Sequence, residues 1–369
     1  MGYRDHKILK FSAVPGIVWH FLREADWDAL GRDPGAMPPG CVPVKQSGLR
    51  AVFRKDGFFL KTELSAHPRS RFFRLRNMLF PKARSEFRSL LDLRDAGIPA
   101  VEPVAWTQFD GIAWTLVTRE MPDVVTANDF FHTAVGRDGR RCPEFFAKWC
   151  GFVRDVLDSG FDHPDFHNGN ILYCEKSNSF ALVDVYGVRR RAFPRRRKMA
   201  MIVREFAEFL PKPELLKLIA DCGIPDGEAF YRTMLRYDAR HIRHEWKRRE
   251  KQFFRDYAKF VRVEGERRWT LDGAREPLPI ENTEKLELAP EAAKALRRED
   301  FRLALLRIPR LRIAAFDPPG TLYRETAAGE ASPEGVAALR ERMELAGLAP
   351  DAYIYAADRF GRTVAVPKG

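Results

Sequence analysis

The feature that most constrains this chain is the tract from Asp162 to Leu172, DHPDFHNGNIL, which leads from a polar loop directly into an apolar run. It places an acid, Asp165, five residues before an amide, Asn170. The next residues, 171–183, read as a short strand, a polar turn and a return strand, and Asp184 follows them. Isolated Asp and Asn residues most often cap turns, but this ordered set predicts a hairpin that brings Asn170 close to Asp184.

These three polar side chains suit a metal-assisted reaction at a hydroxyl group. Amide and carboxylate oxygens are hard ligands of the kind Mg²⁺ prefers, so Asn170 and Asp184 are candidate metal ligands. Asp165 is the candidate that accepts or orients a hydroxyl proton. Phosphoryl transfer needs little covalent chemistry from the protein, and a few rigidly held residues are therefore sufficient for it.

Upstream, one lysine lies in the β-rich run 57–63. A lysine on a half-buried strand needs an anionic partner, so Lys61 is a candidate for binding phosphate, although a solvent-facing strand lysine is at least as common. A helix is predicted to begin near Pro81 and to stop before Gly97. Glu86 lies on its apolar face, from which it would hold Lys61 by a charge-assisted hydrogen bond; solvation of Glu86 at the surface is the commoner fate of such a residue.

Over about residues 40–260 the chain resembles the lipopolysaccharide kinase family, the heptose and Kdo kinases of the bacterial lipopolysaccharide core. The loop pattern His-x-Asp-x-His-x-x-Asn is shared with aminoglycoside phosphotransferases and other atypical kinases, whereas ordinary protein kinases have His-Arg-Asp. The residues that carry the resemblance are Lys61, Glu86, His163, Asp165, His167, Asn170 and Asp184.

The resemblance implies an α+β, protein-kinase-like fold of two lobes, with a β-rich N-lobe and a mainly helical C-lobe. It also implies ATP and Mg²⁺ as cofactors. The implied roles are phosphate binding for Lys61, orientation of that lysine for Glu86, the base for Asp165, metal binding for Asn170 and Asp184, and bracing of the loop for His163 and His167.

The nucleotide-binding elements depart from the kinase pattern. Where a glycine-rich phosphate cover is expected, the chain offers only the turn with Ser47 and Gly48, and one glycine is a weak signal. The hinge that faces adenine is predicted at Arg119 to Pro122, with Glu120 and Met121 as its nucleotide-binding residues. Asp184 is followed by Val-Tyr-Gly rather than Phe-Gly, so the regulated activation loop of protein kinases is not expected.

The predicted organisation has four parts. Residues 1–37 are a lead-in, residues 38–123 the N-lobe, residues 124–263 the C-lobe, and residues 264–369 an appendage outside the resemblance. In the appendage, a helix is predicted from Ser332 to Leu345 and a hairpin from Ala352 to Val366. We interpret this last part as a small α+β unit of unknown role.

Composition favours a cytoplasmic protein. The 369 residues are 45% hydrophobic, enough for a large core. The five cysteines are scattered, odd in number and without a CxxC pair, which argues against a disulfide scaffold or a zinc site. No apolar run approaches the roughly 20 residues of a transmembrane helix. The expected location is the cytoplasm, either free or peripheral at the inner face of the cytoplasmic membrane.

The net charge of +12 points to an anionic partner. Basic residues are interleaved with aromatic ones in segments 69–84 and 236–262, and a further basic cluster lies at 189–198. We expect an anionic glycolipid acceptor and an anionic membrane surface as partners. Nucleic acid is the rival explanation of the charge, but no zinc finger, RNP motif or other nucleic-acid signature is present. For segment 236–262 an ordinary amphipathic helix with buried aromatics is the simpler interpretation.

The functional hypothesis is an ATP- and magnesium-dependent kinase that phosphorylates a sugar hydroxyl, on heptose or Kdo, of the lipopolysaccharide core. One alternative is a small-molecule or protein kinase of the same superfamily, because the loop pattern is shared. Another is a pseudokinase scaffold, which the glycine-poor turn and the extra C-terminal part favour. The intact set of Lys61, Asp165, Asn170 and Asp184 argues against a silent site.

Overall fold

The structure, a computed structural model, describes residues 6–12, 17–30, 40–47, 50–63, 81–109, 113–255, 260–271 and 277–368. The chain divides into two compact units. The first comprises Met1–Thr126, Phe152–Phe166 and Asn170–Phe193, and the second comprises Ala127–Gly151, His167–Gly169 and Pro194–Gly369. The domain boundaries expected from the sequence stay predictions.

The first unit contains twelve described strands, two whole helices and the last seven residues, 152–158, of a third helix that begins in the second unit. The strands are β1 Leu9–Phe11, β2 Val18–Phe21, β3 Val42–Ser47, β4 Arg50–Lys55, β5 Phe58–Glu63, β6 Pro103–Phe109, β7 Ala113–Arg119, β8 Val124–Thr126, β9 Phe161–Asp162, β10 Ile171–Cys174, β11 Ser179–Leu182 and β12 Arg189–Arg190. The helices are α1 Glu24–Ala29 and α2 Lys82–Asp95.

Seven of these strands form one antiparallel sheet in the order β1-β2-β6-β7-β5-β4-β3. Buried and less buried residues alternate along β4 and β5, the period expected of a sheet with one face on a core. That core contains Trp19, Phe21 and Leu60. The sheet therefore holds β5, the strand of Lys61, in its interior between β7 and β4.

Helix α2 is confirmed where the sequence predicts it. Pro81 precedes its first turn, and the chain leaves the helix before Gly97, which has a φ of 78°. Its apolar residues Phe87 and Leu90 are buried, and the helix contacts β6 and β7. Glu86 lies on this same buried face, as its spacing indicated.

The predicted hairpin is also confirmed. Strands β10 and β11 pair antiparallel from Ile171 opposite Leu182 to Cys174 opposite Ser179, with the turn at residues 175–178. Strand β8 pairs with β10 to complete a three-stranded sheet, and β9 pairs with β12. The apolar strand residues and the polar turn between them determine this local fold.

The second unit combines helices with two antiparallel sheets. Its helices are α3 Ala127–Phe131, α4 Pro143–Asp158 (through residue 151), α5 Arg195–Val203, α6 Lys212–Asp221, α7 Gly227–Phe253, α8 Pro290–Leu305 and α9 Pro333–Leu345. Its strands are β13 Val261–Glu264, β14 Arg267–Thr270, β15 Thr283–Glu287, β16 Ile313–Asp317, β17 Thr321–Glu325, β18 Gly329–Glu330, β19 Tyr353–Ala357 and β20 Thr363–Pro367. The sheet orders are β13-β14-β16-β17-β15 and β18-β19-β20. The α+β class is thus confirmed, with a β-rich region and a helical region.

Two elements near the C-terminus match their predictions. Ser332 caps α9, because its side-chain oxygen accepts a hydrogen bond from the backbone N–H of Gly335 at 3.1 Å. Strands β19 and β20 form the predicted hairpin, and the carboxylate of Asp358 accepts backbone N–H groups within the turn. Serine capping and alternation of apolar residues were sufficient signals for both.

The helix predicted within segment 236–262 is wrong at its C-terminal end. Helix α7 ends at Phe253, and Phe260 directly precedes strand β13, although Trp246, Phe253, Tyr257 and Phe260 recur in the sequence at approximately helical spacing. Tyr257 lies outside the described residues. Pairing of β13 with β14 is a contact with a later part of the chain, and it overrides the local helical spacing. Among the described residues no helix is long and apolar enough to cross a bilayer.

Candidate active site

Lys61 and Glu86 meet as the sequence predicts. Lys61 lies on β5, and its Nζ donates to both carboxylate oxygens of Glu86 on α2, each at 3.0 Å. The Lys61 side chain is 21% exposed and that of Glu86 only 4%. A buried carboxylate with two contacts to one ammonium fixes the position of that ammonium.

The carboxylate of Asp184 pairs with the same ammonium group. Asp184 follows β11 with a φ of 59°, a left-handed conformation that is uncommon outside glycine and asparagine, and Gly187 three residues on has a φ of 82°. Its side chain is 52% exposed. Lys61 thus joins the central sheet, helix α2 and the end of the hairpin at one point.

Burial and mutual charge set the pKa values of this ion triad, Lys61, Glu86 and Asp184. Burial alone would lower the pKa of Lys61, but the charges of Glu86 and Asp184 outweigh it and raise that pKa. Burial would raise the pKa of Asp184, but Lys61 outweighs it and the pKa is lowered. Burial raises the pKa of Glu86, against the opposing charge of Lys61. Lys61 therefore stays charged and Asp184 stays ionised at neutral pH.

Asp165 and Asn170 are linked by hydrogen bonds within the loop. Asn170 Nδ2 donates to the carbonyl oxygen of Asp165 at 2.9 Å and lies 3.4 Å from its carboxylate Oδ2. The carbonyl of Asn170 accepts the backbone N–H of Val183 at 3.0 Å, one residue before Asp184. Because Nδ2 makes these contacts, the amide oxygen of Asn170 is the atom left for a cation.

His163 holds the backbone of the exposed Asp165. The backbone N–H of Asp165 donates to His163 Nδ1 at 3.2 Å, and the buried imidazole packs against Phe166 with ring centroids 5.8 Å apart. An accepting Nδ1 places the proton of the neutral ring on Nε2. This is the geometry that a loop-bracing role requires.

His167 to Gly169 belong to the second unit and have their own contacts there. Gly169 N donates to His167 Nδ1 at 3.0 Å, and a Cβ at Gly169 would lie 2.9 Å from that ring, so a side chain there would have to displace the His167 ring. The buried Asn168 accepts from Trp149 Nε1 at 2.8 Å, and its N–H donates to Glu205 at 2.9 Å. Asn168 was not predicted from the sequence, because an asparagine between two candidate site residues has no distinguishing pattern.

The predicted phosphate cover is described only in part. Ser47 is the last residue of β3, its side chain is not described, and Gly48 lies outside the described residues. The structure adds two residues that sequence reasoning did not assign to the site, Lys45 on β3 and Arg50 on β4. After Lys61, their charges are the next contributions that lower the pKa of Asp184. Basic side chains on both strands beside the turn were the available signal.

The predicted hinge follows β7 directly. Strand β7 runs through Arg119, so the segment after it begins at Glu120, whose backbone N–H donates to the carbonyl of Gly57 at 2.7 Å. The Glu120 carboxylate pairs with Arg54 at 2.8 Å. Met121 is partly buried. Contact of Glu120 and Met121 with adenine stays a prediction.

The donor set fits a magnesium ion. Asn170 supplies an amide oxygen and Asp184 a half-exposed carboxylate, and both are hard oxygen ligands. The backbone hydrogen bond between Asn170 and Val183 keeps the two ligands on neighbouring ends of one hairpin. Lys61 retains Glu86 if Asp184 turns to a cation, so metal binding would leave no buried charge without a partner.

A scan against protein families gives no match, and no curated protein matches the chain in sequence. Among solved structures, the chain is similar to the bifunctional kinase-methyltransferase WbdD, at 18% identity over 48% of this chain and 39% of that one, with a TM-score of 0.34. A co-crystal structure of WbdD with the kinase inhibitor LY294002 matches at 18% identity over 49% and 40%, with a TM-score of 0.35.

A third similar structure is a choline/ethanolamine kinase family protein from Mesorhizobium loti. It is 14% identical, with a TM-score of 0.36, over 58% of this chain and 81% of that one. The chain spans less than half the length of the WbdD structures that it matches.

Proposed function

We propose that this protein is an ATP- and magnesium-dependent phosphotransferase whose acceptor is a sugar hydroxyl, on heptose or Kdo, of the lipopolysaccharide core. One observation carries the proposal. Within a single compact unit, the ammonium of Lys61 is shared by Glu86 and Asp184, and the hairpin that ends at Asp184 begins at Asn170, the residue bonded to Asp165. Three side chains thus meet at one point, two of them 123 residues apart along the chain. The other two are hydrogen-bonded to each other in the loop that leads into the same hairpin.

Lys61 and Glu86 serve the nucleotide in this proposal. An ammonium with a raised pKa stays charged. Its hydrogen bonds to Glu86 hold it in place, and the donor that faces Asp184 is the one it can give to a phosphate oxygen. Such fixed positive charge lowers the free energy of the transition state, in which negative charge spreads over the oxygens of the transferred group.

Asp165 serves the acceptor. It orients the sugar hydroxyl and takes its proton as the hydroxyl oxygen forms a bond to the γ-phosphorus. The bond between that phosphorus and the β–γ bridging oxygen breaks, and ADP leaves with the electron pair. The exposed position of Asp165 makes it accessible to an acceptor. Its backbone N–H donates to His163 and its carbonyl accepts from Asn170 Nδ2, and these two hydrogen bonds hold it in place.

Asn170 and Asp184 serve the metal. A bound Mg²⁺ would neutralise phosphate charge, and the amide oxygen and the carboxylate are the ligands that this chain offers it. The lowered pKa of Asp184 keeps its carboxylate ionised well below neutral pH, which a metal ligand requires.

The acceptor class is supported by sequence. The His-x-Asp-x-His-x-x-Asn loop resembles that of the lipopolysaccharide core kinases, and the net charge of +12 suits an acceptor that is itself phosphorylated. Neither feature selects heptose over Kdo.

A transfer assay tests the proposal. Purified protein is incubated with γ-labelled ATP and magnesium, and with core glycolipids, free sugars, aminoglycosides, choline and a protein substrate in parallel. We expect label on the core glycolipid. Label only on protein, choline or an aminoglycoside would contradict the proposed acceptor class but would still show kinase activity. Binding of magnesium-ATP without transfer to any acceptor would contradict catalysis and favour a scaffold.

A further inference from the structure

A row of cations follows one face of α7. Helix α7 has 27 residues, and its exposed residues Arg236, Arg240, Arg243, Lys247 and Lys251 recur at intervals of four, three, four and four. At 100° per residue these intervals keep all five side chains on one side of the helix. They span 15 residues, or about 22 Å along the axis. We call this set the basic face.

The basic face has no acidic counterpart. Among the residues that the structure describes, none of its five cations is in an ion pair. The other charged residues of α7 behave differently: Arg232 pairs with Glu341, Arg248 and Arg249 pair with Glu245, and Glu250 pairs with Arg298. The positive charge of the basic face is therefore available to an external anion.

This arrangement lowers the stability of the helix itself. Like charges three and four residues apart repel by a few tenths of a kcal/mol per pair. A solvated helix would gain from alternating signs, and a local arrangement that costs stability is often a functional one. The repulsion is relieved when an anionic surface lies against the helix.

Helix α5 adds cations beside α7. Arg197 donates to the hydroxyl of Tyr237 on α7 at 2.9 Å, and the guanidinium of Arg196 lies 5.5 Å from the centre of the Phe230 ring, also on α7. Both arginines are exposed and lie in the first turn of α5, where the helix dipole disfavours positive charge. A second element thus carries cations at a position unfavourable for its own stability.

The aromatic residues of α7 are directed elsewhere. Trp246 and Phe253 both pack on Phe301 of α8, with ring centroids 6.1 and 4.2 Å apart, and Tyr237 lies under Arg197. Recognition of single-stranded nucleic acid relies on aromatic rings on which bases stack. The basic face offers charge without such rings, and it therefore fits an extended anionic surface better than a nucleic-acid strand.

We propose that the basic face of α7, together with Arg196 and Arg197, binds the anionic headgroups of a lipid bilayer. Each cation held near an anionic bilayer contributes about fivefold to the partition coefficient. Attraction of this kind is screened by salt. The inference does not depend on the catalytic proposal, because vesicle binding is measured without ATP.

Vesicle sedimentation tests this inference. Full-length protein is mixed with vesicles of phosphatidylcholine alone and with vesicles in which phosphatidylglycerol replaces part of it. The test variant carries Arg236→Gln, Arg240→Gln, Arg243→Gln and Lys247→Gln. The control variant carries Arg232→Gln, Lys285→Gln, Arg298→Gln and Arg340→Gln, four cations that each have a carboxylate partner. Both variants lose four positive charges.

We expect wild type to bind only the anionic vesicles, less strongly as salt is added, and the test variant to lose roughly several hundredfold in partition coefficient. The control variant should keep most of the binding. The test variant should unfold at the same or a higher temperature than wild type, since repulsion within α7 is removed, and this measurement excludes misfolding as the cause.

Equal binding to neutral vesicles would overturn the proposal, as would equal losses in the two variants. Glycerol phosphate should not displace the protein from anionic vesicles, even at concentrations that would saturate a specific phosphate pocket. Full displacement would contradict bilayer binding and would identify a soluble phosphate compound as the ligand. Tighter binding of duplex DNA than of anionic vesicles at the same salt, lost in the test variant, would identify nucleic acid as the partner instead.

Discussion

The two units of the molecule each contain a cation held between two carboxylates, and the two triads differ in exposure. In the second unit, Arg310 donates through Nε to Asp300 at 3.0 Å and through Nη1 to Glu208. Arg310 is 1% exposed, and each of its carboxylate partners is 7% exposed. In the first unit the cation is Lys61, and one of its two carboxylate partners, Asp184, is 52% exposed.

The difference separates a structural triad from one that can exchange a partner. A guanidinium fixes two carboxylates in a planar fork, and burial makes each member costly to remove. An ammonium is a point charge that keeps Glu86 when Asp184 leaves, and the exposed position of Asp184 makes that exchange possible without burying a charge alone. We call Lys61, Glu86 and Asp184 the open triad, and Arg310, Asp300 and Glu208 the closed triad. We therefore expect activity to depend on the open triad and its neighbours, and folding to depend on the closed triad.

The largest expected effect is on catalysis at Asp165, next to the open triad. Asp165→Asn should lower kcat by about 10²- to 10⁴-fold, because the base is lost, and it should leave the Kd for ATP and the Tm nearly unchanged. Steady-state kinetics, calorimetry and thermal unfolding give the three values. Asp155→Asn, an exposed aspartate on α4, is the matched control and should behave as wild type. Equal, mild effects of both changes would contradict the assigned role.

The second effect compares the two triads by the same substitution. Asp300→Asn should lower the free energy of unfolding by about 3 kcal/mol, because it breaks a buried ion pair. Asp184→Asn should lower it by less than about 1 kcal/mol, because the carboxylate is half exposed and asparagine tolerates a positive φ. Urea unfolding measures both, and similar losses would remove the distinction drawn between the triads.

Much of the candidate site was predictable because its signals are local. The hairpin 171–182 follows from two apolar runs around a polar turn, and the Lys61–Glu86 contact follows from a strand lysine and an acid on the apolar face of a helix. The closed triad was not predictable, because Glu208 and Arg310 are about 100 residues apart and neither interrupts a pattern.

The other features that were not predicted also depend on contacts between residues far apart along the chain. Lys45 and Arg50 lie on exposed positions of β3 and β4, where charged residues are usual, so basic residues on both strands beside the turn are only a weak signal. The end of α7 at Phe253 depends on pairing of β13 with β14 and hence on later residues. These features depend on contacts with residues distant along the chain, which a local sequence pattern does not contain.

A third, smaller effect concerns Lys45 and Arg50, whose charges lower the pKa of Asp184 and which would supply positive charge beside the glycine-poor turn. Lys45→Ala or Arg50→Ala should raise KM for ATP by up to about fivefold with little change in kcat, the size of one exposed charge interaction. Lys176→Ala, in the turn of the hairpin and paired with Asp123, is the control. Unchanged KM in both variants would exclude a role for these cations in nucleotide binding.

The last effect is a pH dependence of stability at a residue outside both triads. His20 on β2 stacks on Trp106 at 4.0 Å, and burial, followed by the charges of Lys10 and Arg84, lowers its pKa from 6.5 to about 4. The unfolded chain therefore binds a proton in the range where the folded protein does not, so stability is lost as pH falls from about 6.5 to about 4. His20→Phe should flatten the dependence of Tm on pH in this window. A parallel dependence in wild type and variant would assign the effect to other groups.

In the proposed mechanism, Lys61, Asn170 and Asp184 serve one magnesium-dependent nucleotide site. Calorimetric titration of ATP into wild type and Asp184→Asn, each with and without Mg²⁺, tests it most directly. We expect Mg²⁺ to strengthen ATP binding by wild type and to have little effect on the variant, because the metal loses its carboxylate ligand. The same gain from Mg²⁺ in both proteins would contradict the account.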